Sequence, residues 1–581
     1  MLLIASESEF RAGTRVWGDG GWAPPEDREA LDWLTLARIM GWSVGTARNT
    51  EWGLDGGLSR GNRWIVIASE PDHLREEIVS GIFLRLESEP LLVVARAGRV
   101  HSALARLSGV SRQRVRSAGK QLRWVGPGSP RNWTCRRPIP FTPLKLSPSS
   151  SVWATLDGAP VVAVRRMGTG AIVTLGFHPS AARDADGAAT ALLRHLLICG
   201  ASSPIAWLDW EGTLVLRMDD PGGAENVFSR TWCYPKLSAS QWAAIGQGLR
   251  RRNARLSILY VAGWVDDGDA NRGTLILNGE RVSRVPGNIY PSPLVQYVDH
   301  LGHTPGTYHD YTSEFAGIQA LRAAGLAEVE LHGYTHMHPN TTAWAKAPDR
   351  YEAKRWYREL GHRRSLARRS PDDHPLALGL AAFRHFFNVR PTTLVSPGDH
   401  WTNETLERAL DLGIQLADSY YLAIRHNERF CWCTHVCSPY LNEPDSGWFD
   451  SGLPVVGYFH DFEPAVEGVD WVVNWLDRWQ TAGARRFIDF RELSAAVGRC
   501  LYLDDDNGCL RLEMNTFDDT PDLVRPLPIR LYSQNNALPP RILVSVGDND
   551  FTLLVHGRGD GSAQITIPTG ALKSAPLKGE A

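Results

Sequence analysis

Apolar residues in the first two hundred positions fall into short runs separated by stretches of helical spacing. Residues 2–5, 64–68 and 91–95 read as buried strands, and residues 28–40 and 72–87 read as the helices between them. This alternation predicts a parallel sheet covered by helices. The strand-like run 170–175, continued by Gly176, Phe177, His178 and Pro179, and a helix over 187–197 close the unit. Residues 505–575 differ, with short alternating runs at 509–514, 541–546 and 551–555 between Asp/Asn/Gly/Pro turns, the pattern of a small β-sandwich.

Between these lie apolar strands that end in chemically capable side chains. Residues 213–218 run into Asp219 and Asp220, 328–331 into His332 and His336, and 392–395 into Ser396 and Asp399. Residues 414–417 run into Asp418, and 454–459 into His460 and Asp461. In a parallel barrel all strand C-termini open on one face, where side chains distant in sequence assemble a site. A chain of 581 residues is long enough for three or four units. The reading is an α/β multidomain protein: an accessory unit over 1–204, an irregular (β/α) barrel of about seven strands over 205–502, and a β-sandwich over 503–581.

Charge adds little at this level. The chain has 62 basic and 64 acidic residues, which gives no overall pull towards nucleic acid or an anionic membrane. The excess of Arg over Lys reads as genome composition. No segment reaches 18 uninterrupted apolar residues, so no membrane span is expected. The start, MLLIASESEF, lacks the basic and apolar regions of a signal peptide, and the expectation is a cytoplasmic protein with free thiols at its eight cysteines. The Cys431, Cys433, His435, Cys437 cluster lacks paired C-x-x-C spacing and reads as structural rather than as a metal module. Among 22 Trp residues, Trp401 and Trp448 sit near strand ends and are candidates for stacking on a sugar ring.

Two imidazoles four residues apart, His332 and His336, fall on one face of a helical turn and can share a metal ion. With one carboxylate they leave a coordination position open, as catalytic zinc requires. Met218-Asp219-Asp220-Pro221-Gly222-Gly223, His332-Gly333-Tyr334-Thr335-His336 and Tyr458-Phe459-His460-Asp461 together resemble the polysaccharide deacetylase family, the NodB-homology domain of carbohydrate esterase family four. The resemblance spans about half the chain. It implies Asp219 as general base, Asp220, His332 and His336 as ligands of a divalent metal (zinc by preference), and His460 as general acid. Arg217, Asp399, Trp401 and Asp418 become the substrate-binding candidates, with a backbone N–H at Tyr334 or in the 396–400 loop as oxyanion donor. More loosely, the end of the first unit resembles the class I glutamine-amidotransferase-like (flavodoxin-like) fold. No Cys stands at a strand-to-helix elbow there, so that unit reads as non-catalytic and His178 as structural.

Two departures stand out. The family's third motif carries an Arg that orients the catalytic Asp, whereas residues 395–401 hold none. Arg217, two residues before Asp219 and so on the same strand face, is the candidate replacement. Residues 264–314, with His300, His303, His309 and Asp310, read as a large insertion at the mouth of the site. The functional expectation is a metal-dependent hydrolase removing N-acetyl or O-acetyl groups from a carbohydrate or glycoconjugate, with the N-terminal unit as a surface through which copies could associate. The alternatives are a non-catalytic glycan-binding protein on the same scaffold and a hydrolase of a non-sugar amide.

Overall fold

The computed structural model describes residues 1–5, 29–48, 63–70, 72, 74–182, 187–229, 232–301, 306–352, 355–362, 366, 370–438, 444, 446–506, 509–534, 538–547 and 549–569. His303 lies outside these residues, as does the side chain of His435. The chain forms a mixed α/β protein with several sheets. In the N-terminal sheet, Gly45–Arg48, Leu2–Ala5, Trp64–Ile67, Leu92–Arg96 and Gly170–Leu175 run parallel, as the alternation predicts. The expectation of a wholly parallel sheet needs correction. Ala159–Met167, Ser151–Leu156, Ser117–Trp124 and Arg131–Phe141 extend it as antiparallel strands. No helix separates these four strands, and a tight turn such as Asp157–Gly158, with φ of 47° and 83°, can join only antiparallel neighbours.

The central sheet has nine strands: β1 (Thr213–Gly222), β2 (Leu256–Val261), β3 (Ala327–Leu331), β4 (Thr393–Val395), β5 (Leu416–Asp418), β6 (Tyr421–His426), β7 (Arg429–Cys437), β8 (Val455–His460) and β9 (Arg486–Ile488). Their order is β7-β6-β5-β4-β3-β2-β1-β8, with β9 also paired to β1. Strands β1 to β5, β8 and β9 run parallel, while β6 pairs antiparallel with both β5 and β7. Among the described residues no pairing joins β7 to β8. The hydrogen bonds therefore define a nine-stranded mixed sheet rather than a closed barrel. Leu216, Met218, Ile258, Val329, Leu331 and Leu394 are buried in its core, as expected for strands covered on both faces.

Local sequence explains the flanking helices. Ser238 and Gln241 form a capping box for Ala239–Arg251, and Asp310 and Asp489 cap Tyr311–Ala323 and Phe490–Val497. The insertion is folded: a four-stranded sheet contains Gly273–Leu277, Val295–Asp299 and Tyr308–Asp310, and Trp264, Leu275 and Tyr297 pack in a core shared with Phe228, Met337 and Trp344. His309 is buried there and His300 meets Thr274. The last eighty residues build two four-stranded sheets, one of which recruits Ile205–Leu208 from just before the central sheet. No helix among the described residues is long and apolar enough to cross a membrane.

One polar contact holds the middle of the central sheet. Strands β3 and β4 share a single register pair, Leu331 with Leu394. Glu330 reinforces it by accepting the N–H groups of Thr392 and Thr393 at 2.7 and 2.8 Å and the Thr392 hydroxyl at 2.9 Å. Burial lifts this carboxyl from 4.5 to about 8 despite the three donors. An acid raised on folding binds more protons when folded, so its stabilising contribution is present below about pH 4.5 and lost as pH rises towards 8. Glu330→Gln should therefore gain on the wild type by up to ~1.4 kcal/mol per pH unit across this window in urea unfolding. A difference that stays constant with pH would show that Glu330 does not titrate there.

Candidate active site

Five parallel strands deliver polar residues to one edge of the central sheet. The backbone at the end of β1 is kinked: Asp220, Gly222 and Gly223 have φ of 74°, 78° and 69°. A Cβ at Gly222 would come within 2.3 Å of the Val261 carbonyl, so a glycine is required there. Left-handed backbone at a non-glycine residue such as Asp220 costs about 1–3 kcal/mol and persists only where neighbours enforce it. Here Lys236 donates to the carbonyls of Asp220 (3.1 Å) and Gly222 (3.4 Å), while Glu314 accepts the Gly222 N–H at 2.7 Å. Lys236 is itself wholly buried and paired with Asp461 and Glu314.

The two histidines reach the site differently from the spacing argument. Residues 332–336 form no helical turn; Gly333 and His336 have φ of 67° and 57°, and the loop wraps round one carboxylate. Glu359 accepts the N–H groups of Tyr334, Thr335 and His336 and the Thr335 hydroxyl. Tyr334 N–H, a candidate oxyanion donor, is thus already committed 2.7 Å from Glu359. The imidazoles still meet, with ring centroids 4.9 Å apart.

Their orientation suits a metal ion. His332 Nδ1 donates to the Val395 carbonyl at 3.0 Å, and His336 Nδ1 lies 2.6 Å from Glu225 Oε2. Both Nε2 atoms are therefore left for ligation, and they converge on Asp220 Oδ1 at 3.1 and 3.4 Å. Donors about 2.0–2.1 Å from a tetrahedral ion stand roughly 3.3 Å apart, so the spacing fits. The charge balance fits as well. Burial opposes ionisation of His336, yet Glu225 and Asp220 raise it to about 10, so this cluster of acids calls for a cation. Asp220, His332 and His336 fit a divalent ion, and Glu225, which the sequence reading did not single out, orients one of them.

Beside this trio lies a buried guanidinium. Arg217, 1% exposed, grips Asp219 through Nε (2.8 Å) and Nη2, while Nη1 donates to Asp418 (2.9 Å) and the Ser419 carbonyl (3.0 Å). Asp399, at φ 54°, is 3.7 Å from Nη2, and the Tyr458 ring lies under the guanidinium at 4.2 Å. The Arg that holds Asp219 thus comes from Asp219's own strand. Asp418 lies behind Arg217, fully buried, and also accepts the Ser438 hydroxyl. Burial raises it to about 7 against the pull of Arg217.

The pocket, about 130 Å³, is bounded by Asp219, Asp220, Arg217, His332, His336 and His460, with Asp399, Glu225, Trp232 and Tyr357 completing its wall. Burial works against a charged His460, but Glu463 and the carboxylates of Asp220 and Asp219 raise it to about 9. The aromatic side chains at the pocket are not the two singled out by sequence. Trp401 is 2% exposed and packs on Trp432 at 5.2 Å; Trp448 is buried beneath Arg136. Half-buried Trp232 stacks on Phe462 at 4.3 Å and meets His460 edge-on at 5.1 Å, while Tyr357 lies over His336 at 6.5 Å. Cys431 and Cys433 are buried strand residues of β7, register partners of Ile424 and Leu422.

Removing the cation from a buried charge cluster leaves its carboxylates uncompensated. Arg217→Met should lower the unfolding free energy by about 3–5 kcal/mol in denaturant titration. A loss below about 1 kcal/mol, the range of exposed pairs, would mean that Arg217 does not balance buried charge. Glu225→Gln should weaken zinc binding roughly 10–100-fold in chelator competition, with the fold intact. Unchanged affinity would remove Glu225 from the site.

No family model matches the chain, and no curated protein matches it. Among solved structures it is similar to the crystal structure of Agd3, described as a novel carbohydrate deacetylase, over 98% of this chain and 97% of that one, with a TM-score of 0.39 at 10% identity. It is also similar to the exo-β-1,4-mannosidase Op5Man5 from Opitutaceae bacterium strain TAV5, over 31% of each chain, with a TM-score of 0.21 at 16% identity. The cytoplasmic protein STM1381 from Salmonella typhimurium LT2 matches 30% of this chain and 87% of its own, with a TM-score of 0.22 at 14% identity.

Proposed function

We propose that the chain is a metal-dependent hydrolase of the polysaccharide deacetylase type, removing N-acetyl or O-acetyl groups from a carbohydrate or glycoconjugate. The observation that carries this reading is the meeting, in one pocket, of an Arg-held carboxylate, an Asp/His/His trio with ring nitrogens aimed together, and a histidine raised to about 9. On this reading residues 205–502 are the catalytic unit, with the central sheet as the wall of an irregular (β/α) barrel, and residues 1–204 and 503–581 are accessory.

Asp220, His332 and His336 would hold the ion. A bound divalent metal, zinc by preference, supplies a Lewis acid for the acyl carbonyl and lowers the pKa of water. Asp219 accepts the proton of the attacking water, and Arg217 fixes the carboxylate's direction. His460, charged near neutral pH, donates a proton to the departing amine or alkoxide. Asp399 offers a carboxylate to a substrate hydroxyl at the pocket wall. A cavity of about 130 Å³ is small beside the roughly 300–1,000 Å³ of pockets that enclose a whole small molecule. That is room for an acyl group and a nucleophile, and it leaves the sugar at the mouth against Trp232 and Tyr357.

The test is acetate release from acetylated chito- and xylo-oligosaccharides and an acetyl-ester reporter after zinc reconstitution. Wild type should release acetate, and Asp219→Asn should lose at least about 100-fold, the low end for a general base. Release that survives in Asp219→Asn would remove Asp219 from the chemistry. No release from any substrate, with zinc bound, would favour a glycan-binding protein on the same scaffold.

A further inference from the structure

The chain's net charge of −2 conceals a strong local imbalance. From residue 90 to residue 156 there is no Asp or Glu, although the chain's 64 acids in 581 residues would place about seven in such a stretch. The same stretch carries 12 Arg and Lys. Folding places half of them on or beside one edge hairpin, with Arg123 and Arg131 on its opposite faces. Ser117–Trp124 and Arg131–Phe141 pair as a hairpin at the edge of the N-terminal sheet. Arg114, Arg116, Lys120, Arg123, Arg131 and Lys145 are all exposed on or beside it. Among the described residues none of these six is in an ion pair. The first acid after this stretch, Asp157, accepts the backbone N–H groups of Lys120 and Gln121 at 3.2 and 2.8 Å.

At the foot of this hairpin is a cavity of about 290 Å³, at the C-terminal ends of the parallel strands Leu92–Arg96 and Gly170–Leu175. Open α/β sheets present their ligand crevices at that end. Arg116 and Arg112 line it beside the rings of Phe141 and Phe177. Arg112 is balanced by Asp72 at 2.6 Å and Arg96, also in the wall, by Glu29 at 2.5 Å, whereas Arg116 is in no ion pair among the described residues.

From this we infer that the N-terminal sheet binds an acidic polysaccharide, a polymer bearing uronate carboxylates, along the hairpin and into this cavity. Guanidinium forks match carboxylates in pairs of N–H···O bonds, and the two rings offer an apolar floor for a sugar face. Exposed cations without intramolecular partners lose little on meeting a polyanion, because no internal ion pair has to break first. The choice of a polysaccharide over a nucleic acid rests on the deacetylase reading. Binding itself is measured without turnover, so the two can fail separately.

The experiment is calorimetric titration of the full-length protein with polygalacturonate at low salt, with a neutral xylan and duplex DNA at equal charge concentration as comparisons. Polygalacturonate should bind in a salt-sensitive manner, and xylan should not bind. The triple variant Arg114→Ser, Arg116→Ser, Arg123→Ser should bind roughly tenfold more weakly, about 1.4 kcal/mol for three exposed cations, with an unchanged thermal midpoint. A control removing the same charge elsewhere, Arg250→Ser, Arg251→Ser, Arg281→Ser, should bind as the wild type does. Equal weakening by both triple variants would overturn the proposal, since only net charge would then matter. So would duplex DNA binding as tightly as polygalacturonate. Polygalacturonate binding without acetate release would refute the deacetylase reading alone; release without binding would refute this proposal alone.

Discussion

The edge of the central sheet gathers more buried carboxylates than a protein interior holds without cations, and the surrounding structure follows from how they are neutralised. A charge removed from water without a partner costs several kcal/mol, so each acid here must be paired, hydrogen-bonded or protonated. Arg217 serves Asp219 and Asp418 and lies near Asp399. Lys236 serves Asp461 and Glu314. The third cluster, Asp220 and Glu225, has only imidazoles, and there the ring nitrogens converge as ligands would. Two clusters are closed by Arg217 and Lys236, and the third has imidazoles alone as partners.

The same pairing positions the backbone. Lys236 and Glu314 hold the left-handed kink at Asp220, which turns its carboxylate towards His332 instead of letting it alternate along the strand. Glu359 does the equivalent for the 332–336 loop: with three N–H groups bound to one carboxylate, no helical turn forms. The geometry of the trio is therefore enforced by residues that do not touch the pocket, and strain at φ 74° and 57° is stored where ligands must converge.

These supports mark the boundary of what the sequence made legible. Strand ends bearing Asp219, Asp220, His332 and His460 could be read locally, because apolar runs and their polar termini are contiguous. Glu225, Lys236, Glu314 and Glu359 could not, since each acts on a partner that only folding brings near, Glu359 on residues 23 to 25 positions away and Lys236 on one 225 away. Trp401 misled for the complementary reason. It follows Asp399 by two positions, but the loop turns it into the core against Trp432. The antiparallel half of the N-terminal sheet was missed because its strands lack the helix spacing on which the parallel reading relied. Its charge was missed because a whole-chain sum cancels segments of opposite sign.

The location of Arg217 has a consequence for how the site can vary. An orienting Arg supplied from a distant loop can shift relative to the carboxylate it holds. Arg217 and Asp219 share one strand, two residues apart on the same face, and that strand is bound by β2 on one side and β8 on the other. Their separation is therefore fixed by the pleat and does not depend on loop packing. The loop carrying Asp399 takes no part in fixing that separation. It is half-buried at the pocket wall, with left-handed backbone at Gly398 and Asp399, and its side chain faces the cavity. Asp399 stands 3.7 Å from Arg217 Nη2, so the residue that lines the mouth stays electrostatically coupled to the Arg217–Asp219 pair.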